Sequence, residues 1–313
     1  MEKEIYIHAG MPKCGSTYLQ EEVFPQLNEL YFTHLQMYNT CPIAMFLKRA
    51  VYANPLLYNI KEEATESYEY LVKLEKKKVL ISWEGLYGDC FNNSMNTLFL
   101  NKLLKYNYPN AKILLIIRRQ CDLIESLYKQ CLHQYHSMKV DEFLNYQSDT
   151  GRFLPFKPAW WIGMNVDVRA FNFYEIAQAY IKLFGNKNVK IIPYELMIDN
   201  KNFFLEEIAS FLKVNAYFPE NNVYINRSFS KYTSNAARLI NKFISVEHNP
   251  IKIIKKGSIL DPMNGLKRID KIFYKKKYFI NEDKRHKIME INMKSNIKLN
   301  DLVDYDLKKF KYF

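Results

Sequence analysis

The chain has 313 residues, 48% of them hydrophobic, and a net charge of +12, so there is apolar material enough for a substantial core. No run of about 18 apolar residues occurs, which excludes a membrane-spanning helix. The basic excess comes without a helix-turn-helix, zinc-finger or RNA-recognition signature, so nucleic acid is not an expected partner.

In chain order, "EIYIHAG" (4–10) reads as a strand that starts at once, with no basic-then-apolar leader ahead of it. That makes the cytoplasm the expected location. The loop "MPKCGST" and the helical "YLQEEVF" come next. Residues 66–77 read as a helix, "KVLISWE" (78–84) as a short strand, and "TLFLNKLLKY" (97–106) as a helix. "AKILLII" (111–117) is an unbroken apolar run of the kind buried parallel strands show. "QCDLIESLYKQCLHQYH" (120–136) carries Leu123, Leu127 and Cys131 at helical spacing. A helix over 173–184, the strand "NVKIIPYE" (188–195) and a helix over 203–214 complete the alternation. Such alternation predicts an α/β fold, three layers α/β/α around a central parallel sheet. Beyond residue 230 strand patterns stop, and a mostly helical C-terminal extension is expected. No repeat or linker divides the chain, so one domain over 1–313 is expected, with 231–279 a basic insertion or extension that fits no clear element.

The charge is concentrated at one end. From Lys231 onward there are 20 basic and 9 acidic residues, and 251–277 alone holds nine basic and two acidic. A solvated basic face, an acidic glycan and an anionic membrane surface all fit this pattern. The five cysteines Cys14, Cys41, Cys90, Cys121 and Cys131 form no C-x-x-C pair and have no histidine cluster beside them. They read as reduced thiols, and no metal site is expected.

The chemistry is concentrated in "HAGMPKCGST" (8–17). Gly10 and Gly15 keep the spacing of a phosphate-binding loop, but Lys13 lies inside the loop, and Ser16 stands where a Walker lysine would be. A loop between a first strand and a first helix aims backbone N–H groups at an anion. Ser16 and Thr17 add hydroxyl donors and Lys13 a mobile positive charge, which suits phosphate or sulfate. A second group is "IIRRQCDLIESLY": Arg118 and Arg119 stand at a strand end, and Ser126 lies two turns into the next helix. In open α/β sheets, ligands bind outside the carboxyl ends of the strands.

P-K-x-G-[ST]-T after the first strand, with R-x-x-x-D-x-x-x-S-x-Y after a later one, resembles the sulfotransferases that use 3′-phosphoadenosine 5′-phosphosulfate (PAPS). The resemblance covers roughly residues 1–230 and 280–313 and is nearest to bacterial and carbohydrate-directed members. It implies that Lys13, Cys14, Gly15, Ser16 and Thr17 hold the 5′-phosphosulfate, and that Arg118 and Ser126 hold the 3′-phosphate. "NRSFS" (226–230), with Arg227, resembles a loop near the nucleotide. A lysine inside the loop then reaches the bridging oxygen of the leaving group, and no metal is needed. Glu84, after the second apolar strand, is the expected base, with Gly85 where relatives often place a lysine. His8, His133 and His136 are its rivals, since aryl- and steroid-directed relatives use histidine. "PFKPAWW" (155–161), with Trp160 and Trp161, offers aromatic faces for a sugar. The implied reaction moves a sulfuryl group from PAPS to a hydroxyl of a carbohydrate or glycolipid and releases the bisphosphate PAP. Peripheral contact with the inner membrane surface goes with that acceptor. A Mg-dependent P-loop kinase and a basic glycan- or membrane-binding adaptor are the alternatives.

Overall fold

The computed structural model describes residues 2–34, 41–52, 60–90, 96–155, 165–215, 230–245, 254–257, 261, 265–266 and 278–313. The elements run β1 (Glu4–His8), α1 (Ser16–Tyr18), β2 (Leu30–His34), α2 (Pro42–Tyr52), α3 (Ile60–Lys73), β3 (Lys78–Ser82), α4 (Thr97–Asn107) and β4 (Lys112–Ile117). Next come α5 (Gln120–His133), α6 (Phe173–Phe184), β5 (Val189–Pro193), α7 (Tyr194–Asp199), α8 (Lys201–Leu212), α9 (Lys231–Ile240) and α10 (Glu282–Asn300). The five strands form one sheet in the order β2-β3-β1-β4-β5. All four pairings are parallel, with His8 opposite Ser82 and Ile117 opposite Pro193. One edge of the sheet therefore gathers the residues just past the strand ends: the loop after His8, Trp83–Glu84, Arg118–Arg119 and Tyr194–Glu195. This is the α/β fold that the alternation predicts.

The chain divides into two compact units. The first comprises Met1–Arg119, Asn172–Val223 and Asn292–Phe313 and holds the whole sheet. Its strands are apolar on both faces, and Tyr6, Ile7, Val79, Leu80, Ile113 and Leu114 are fully buried. Burying a Val, Leu or Ile completely stabilises by about 1.5–3 kcal/mol. α6 starts where the Asn172 side chain accepts from Glu175 N and stops at Gly185, φ 86°. Asn200 caps α8 in the same way through Phe203 N.

The second unit comprises Gln120–Phe171 and Tyr224–Ile291. The predicted stripe of α5, Leu123, Leu127 and Cys131, is fully buried in it. On the same helix Asp122 and Glu125 both pair with Arg285 of α10, and Lys129 pairs with Glu125 at 2.8 Å. Tyr278 lies against the Arg285 guanidinium at 3.8 Å, and Ile280 N donates to Glu125 Oε2.

Four local expectations differ from the structure. β2 and α2 had no sequence signal strong enough to be predicted; β2 is an edge strand whose central residues Tyr31 and Phe32 are only half buried. The helix expected over 66–77 runs Ile60–Lys73, because the chain after it turns to enter the sheet and Lys77 O accepts from Glu4 N. The expected helix after the loop is only Ser16–Tyr18 in α form, and Leu19–Val23 winds as a π turn. Beyond 230, Ile244–Ser245 pairs in parallel with Ile254–Lys255, too short a pairing to leave an alternating pattern.

Candidate functional site

The loop after β1 stays tied to β4, with Ala9 N donating to Leu114 O and Met11 N to Ile116 O. Two of its residues adopt left-handed backbone, Lys13 at φ 67° and Gly15 at φ 85°. For lysine that conformation costs about 1–2 kcal/mol, so the surroundings must hold it. Arg118 does so: its Nη1 donates to Lys13 O at 2.7 Å while its guanidinium lies 4.8 Å over the Tyr194 ring. A Cβ at Gly15 would meet the same ring at 3.0 Å. The loop therefore packs closely on Tyr194, and only glycine fits there without strain.

Lys13 and Glu84 act on one another electrostatically. Burial holds the Lys13 ammonium below its ordinary pKa, the Glu84 carboxylate opposes that shift, and Arg118 adds to it. Burial likewise raises Glu84, against the hydroxyl of Ser16 and the charge of Lys13. Ser16 is buried and also turns toward Met11 O, at 3.4 Å. Thr17 is half-buried. Cys14 is fully buried with its sulfur near Pro12 O, and burial pushes its thiol well up.

Sequence reasoning missed the residues that hold the chain just past β4. Glu195 Oε1 accepts from Arg119 N at 3.0 Å, and its Oε2 accepts from Tyr312 OH at 2.8 Å. Glu195 is mostly buried, and that burial raises its pKa against these hydrogen bonds. The rule that singled out Glu84 and Arg118, their place just past a strand, applies equally to Tyr194 and Glu195.

His8 is fully buried, its Nδ1 2.7 Å from Ser82 Oγ, which also accepts from Gln20 Nε2 at 2.9 Å. Burial lowers its pKa to about 3, so the ring is neutral at physiological pH. A notch beside the ends of β2 and β3 is lined by Thr33, His34, Ala44, Leu47, Ile81, Ser82 and Trp83. Ser126, His133 and His136 belong to the second unit; Ser126 and His133 are on α5, His136 just beyond it, and all three are half-buried. Arg227, Trp160, Trp161 and most of 251–277 lie outside the described residues. Among the described residues no group of three or more His, Cys, Asp or Glu could hold a metal ion, and no helix is long and apolar enough to cross a membrane.

A family model described as a sulfotransferase domain matches residues 4–276. No curated protein matches the chain. Among solved structures, a sulfotransferase from Alicyclobacillus acidocaldarius superposes with a TM-score of 0.49 at 17% identity, over 77% of this chain and 94% of that one. A mouse sulfotransferase complexed with PAP gives 0.41 and 17%, over 98% and 90%. The sulfotransferase domain from the curacin biosynthetic pathway gives 0.38 and 13%, over 93% and 97%.

Proposed function

The chain belongs to the sulfotransferase domain family, and on that premise we propose that it transfers a sulfuryl group from PAPS to a hydroxyl of a carbohydrate or glycolipid. The observation that carries the residue assignment is Lys13, on a loop whose backbone Arg118 holds, with the Glu84 carboxylate just past β3 acting on its charge. The donor supplies an activated sulfuryl group on a 5′-phosphate. Backbone N–H groups of Cys14 and Gly15, with the hydroxyls of Ser16 and Thr17, hold its 5′ end. Arg118 and Ser126 hold its 3′-phosphate, and Arg227 contributes to the nucleotide site.

Glu84 takes the proton of the acceptor hydroxyl as that oxygen bonds to sulfur. The bond from sulfur to the bridging oxygen breaks, and Lys13 neutralises the charge that grows there. The transfer is mainly positioning and charge stabilisation, as in phosphoryl transfer. A raised Glu84 suits a base, because its conjugate acid lies nearer to working pH than an ordinary carboxyl. His8 is fully buried and its lowered pKa makes it a weak base, which supports Glu84 over that rival. The notch that ends at Trp83, next to Glu84 in the chain, is a fitting approach for the acceptor. A glycolipid acceptor would bring the protein to a membrane surface.

The test is turnover with labelled donor against a panel of glycan and glycolipid hydroxyls. Glu84→Gln keeps the shape and removes the base, so it lowers kcat by about 10²-fold or more and leaves donor affinity in place. A near-normal kcat would move the base elsewhere. Because the lysine is not in the Walker position, activity persists in excess EDTA; loss restored only by Mg²⁺ would favour a kinase.

A further inference from the structure

In the second unit, α9 turns two of its three large apolar side chains, Tyr232 and Leu239, outward. Its inward face is small and polar: Ser230, Thr233, Ser234, Ala237 and Asn241 are all buried. That face is anchored, since Asn241 Nδ2 donates to both Leu132 O and His136 O at 2.8 Å. Of its large apolar side chains Ile240 packs inward, against Ala237 and Ile244, but Tyr232 is 62% exposed, Leu239 51% and Phe243, just past the helix, 52%. Tyr232 and Leu239 are seven residues apart and share one face, and Phe243 continues it after another turn. A helix solvated on its outer face has the opposite pattern.

The charge around this face is basic. Lys242, beside Phe243, is exposed. Phe243 O accepts from Ile254 N, and two residues on, exposed Lys256 lies over the Tyr135 ring at 5.4 Å. Asp261 accepts from Tyr135 OH and Gly257 N.

We propose that the outer face of α9, through Tyr232, Leu239 and Phe243 with Lys242 and Lys256, docks the protein on an anionic lipid surface. An aromatic and aliphatic stripe with lysines beside it is the composition of a helix lying in a bilayer interface. The apolar residues enter the headgroup boundary, while each lysine near an anionic surface adds to the attraction. The proposal specifies the membrane contact that goes with a glycolipid acceptor and rests on that reading only for the choice of occupant. Vesicle binding is measured without donor or acceptor, so it fails or succeeds separately from transfer.

The experiment is co-sedimentation of the full chain with vesicles of phosphatidylcholine alone and of phosphatidylcholine mixed with phosphatidylglycerol. The wild-type protein binds the mixed vesicles, binds those without anionic lipid much more weakly, and is released by added salt. Leu239→Ser and Phe243→Ser each weaken binding on the order of tenfold, the loss of one buried apolar side chain. Both positions are exposed, so their unfolding midpoints match wild type. Absence of vesicle binding, binding unchanged in both variants, or a dimer in light scattering that these substitutions abolish would each overturn the assignment, the last giving the face to a second copy.

Discussion

Lys13 illustrates how one residue combines backbone and side-chain demands. Its left-handed backbone turns the loop, Arg118 pins its carbonyl, and its ammonium is held below its ordinary value by burial. Glu84 is shifted the opposite way by the same burial. If both act in transfer, the pH profile of kcat has two limbs. Rate falls on the acid side as Glu84 takes up a proton, at a pH above the ordinary carboxylate range. It falls again on the alkaline side as Lys13 loses its proton, below the ordinary lysine range. Arg cannot be deprotonated in a protein, so Lys13→Arg abolishes the alkaline limb and keeps the acid one; a profile in which both limbs survive would remove Lys13 from the chemistry. At Gly15, alanine meets left-handed backbone and the Tyr194 ring together. Gly15→Ala therefore costs about 1–2 kcal/mol of stability in urea unfolding and weakens 5′-nucleotide binding in titration calorimetry. Lys13, Gly15, Glu84 and Arg118 were legible in the sequence because glycine spacing and strand-end position are local signals. Glu195 carries the same strand-end signal and was overlooked, while its bond to Tyr312 spans 117 residues and leaves no local pattern.

Among the elements, α5 carries the heaviest buried charge. Asp122, Glu125 and Lys129 lie on it, and Arg285 reaches them from α10. Removing one partner from such a network leaves uncompensated charge and costs about 3–5 kcal/mol. Arg285→Met should lower the unfolding free energy by that amount in urea titration. A change under about 1 kcal/mol would mean that the carboxylates take up protons instead, and stability would then depend little on this network. The apolar strands and the α5 stripe were readable, because period and composition announce buried elements. The edge strand β2 was not, because its half-buried Tyr31 and Phe32 and its polar Thr33 and His34 leave no apolar run. Nor was the outward placement of Tyr232 and Leu239 on α9: sequence shows that a helix is amphipathic, not which of its faces turns inward.

Over the whole chain, the basic excess belongs to the last quarter, while the sheet edge gathers the loop, Glu84 and Arg118. The central claim is that this loop, Arg118 and Ser126 bind a nucleotide phosphorylated at both 3′ and 5′ positions. Arg118 does more than contact a phosphate, because it also holds Lys13 O. Arg118→Ala therefore loosens the 5′ loop too and weakens 5′-AMP as well as the bisphosphate. Ser126→Ala is the cleaner variant, lowering bisphosphate affinity about tenfold while 5′-AMP stays unchanged. The most direct measurement is titration calorimetry of PAP and 5′-AMP against the wild-type protein. A hydrogen bond to a charged group contributes roughly 1.5–3 kcal/mol, so two such contacts predict a preference for PAP on the order of 10²-fold or more. Equal affinity for the two nucleotides, or displacement of both by ATP with Mg²⁺, would contradict the account.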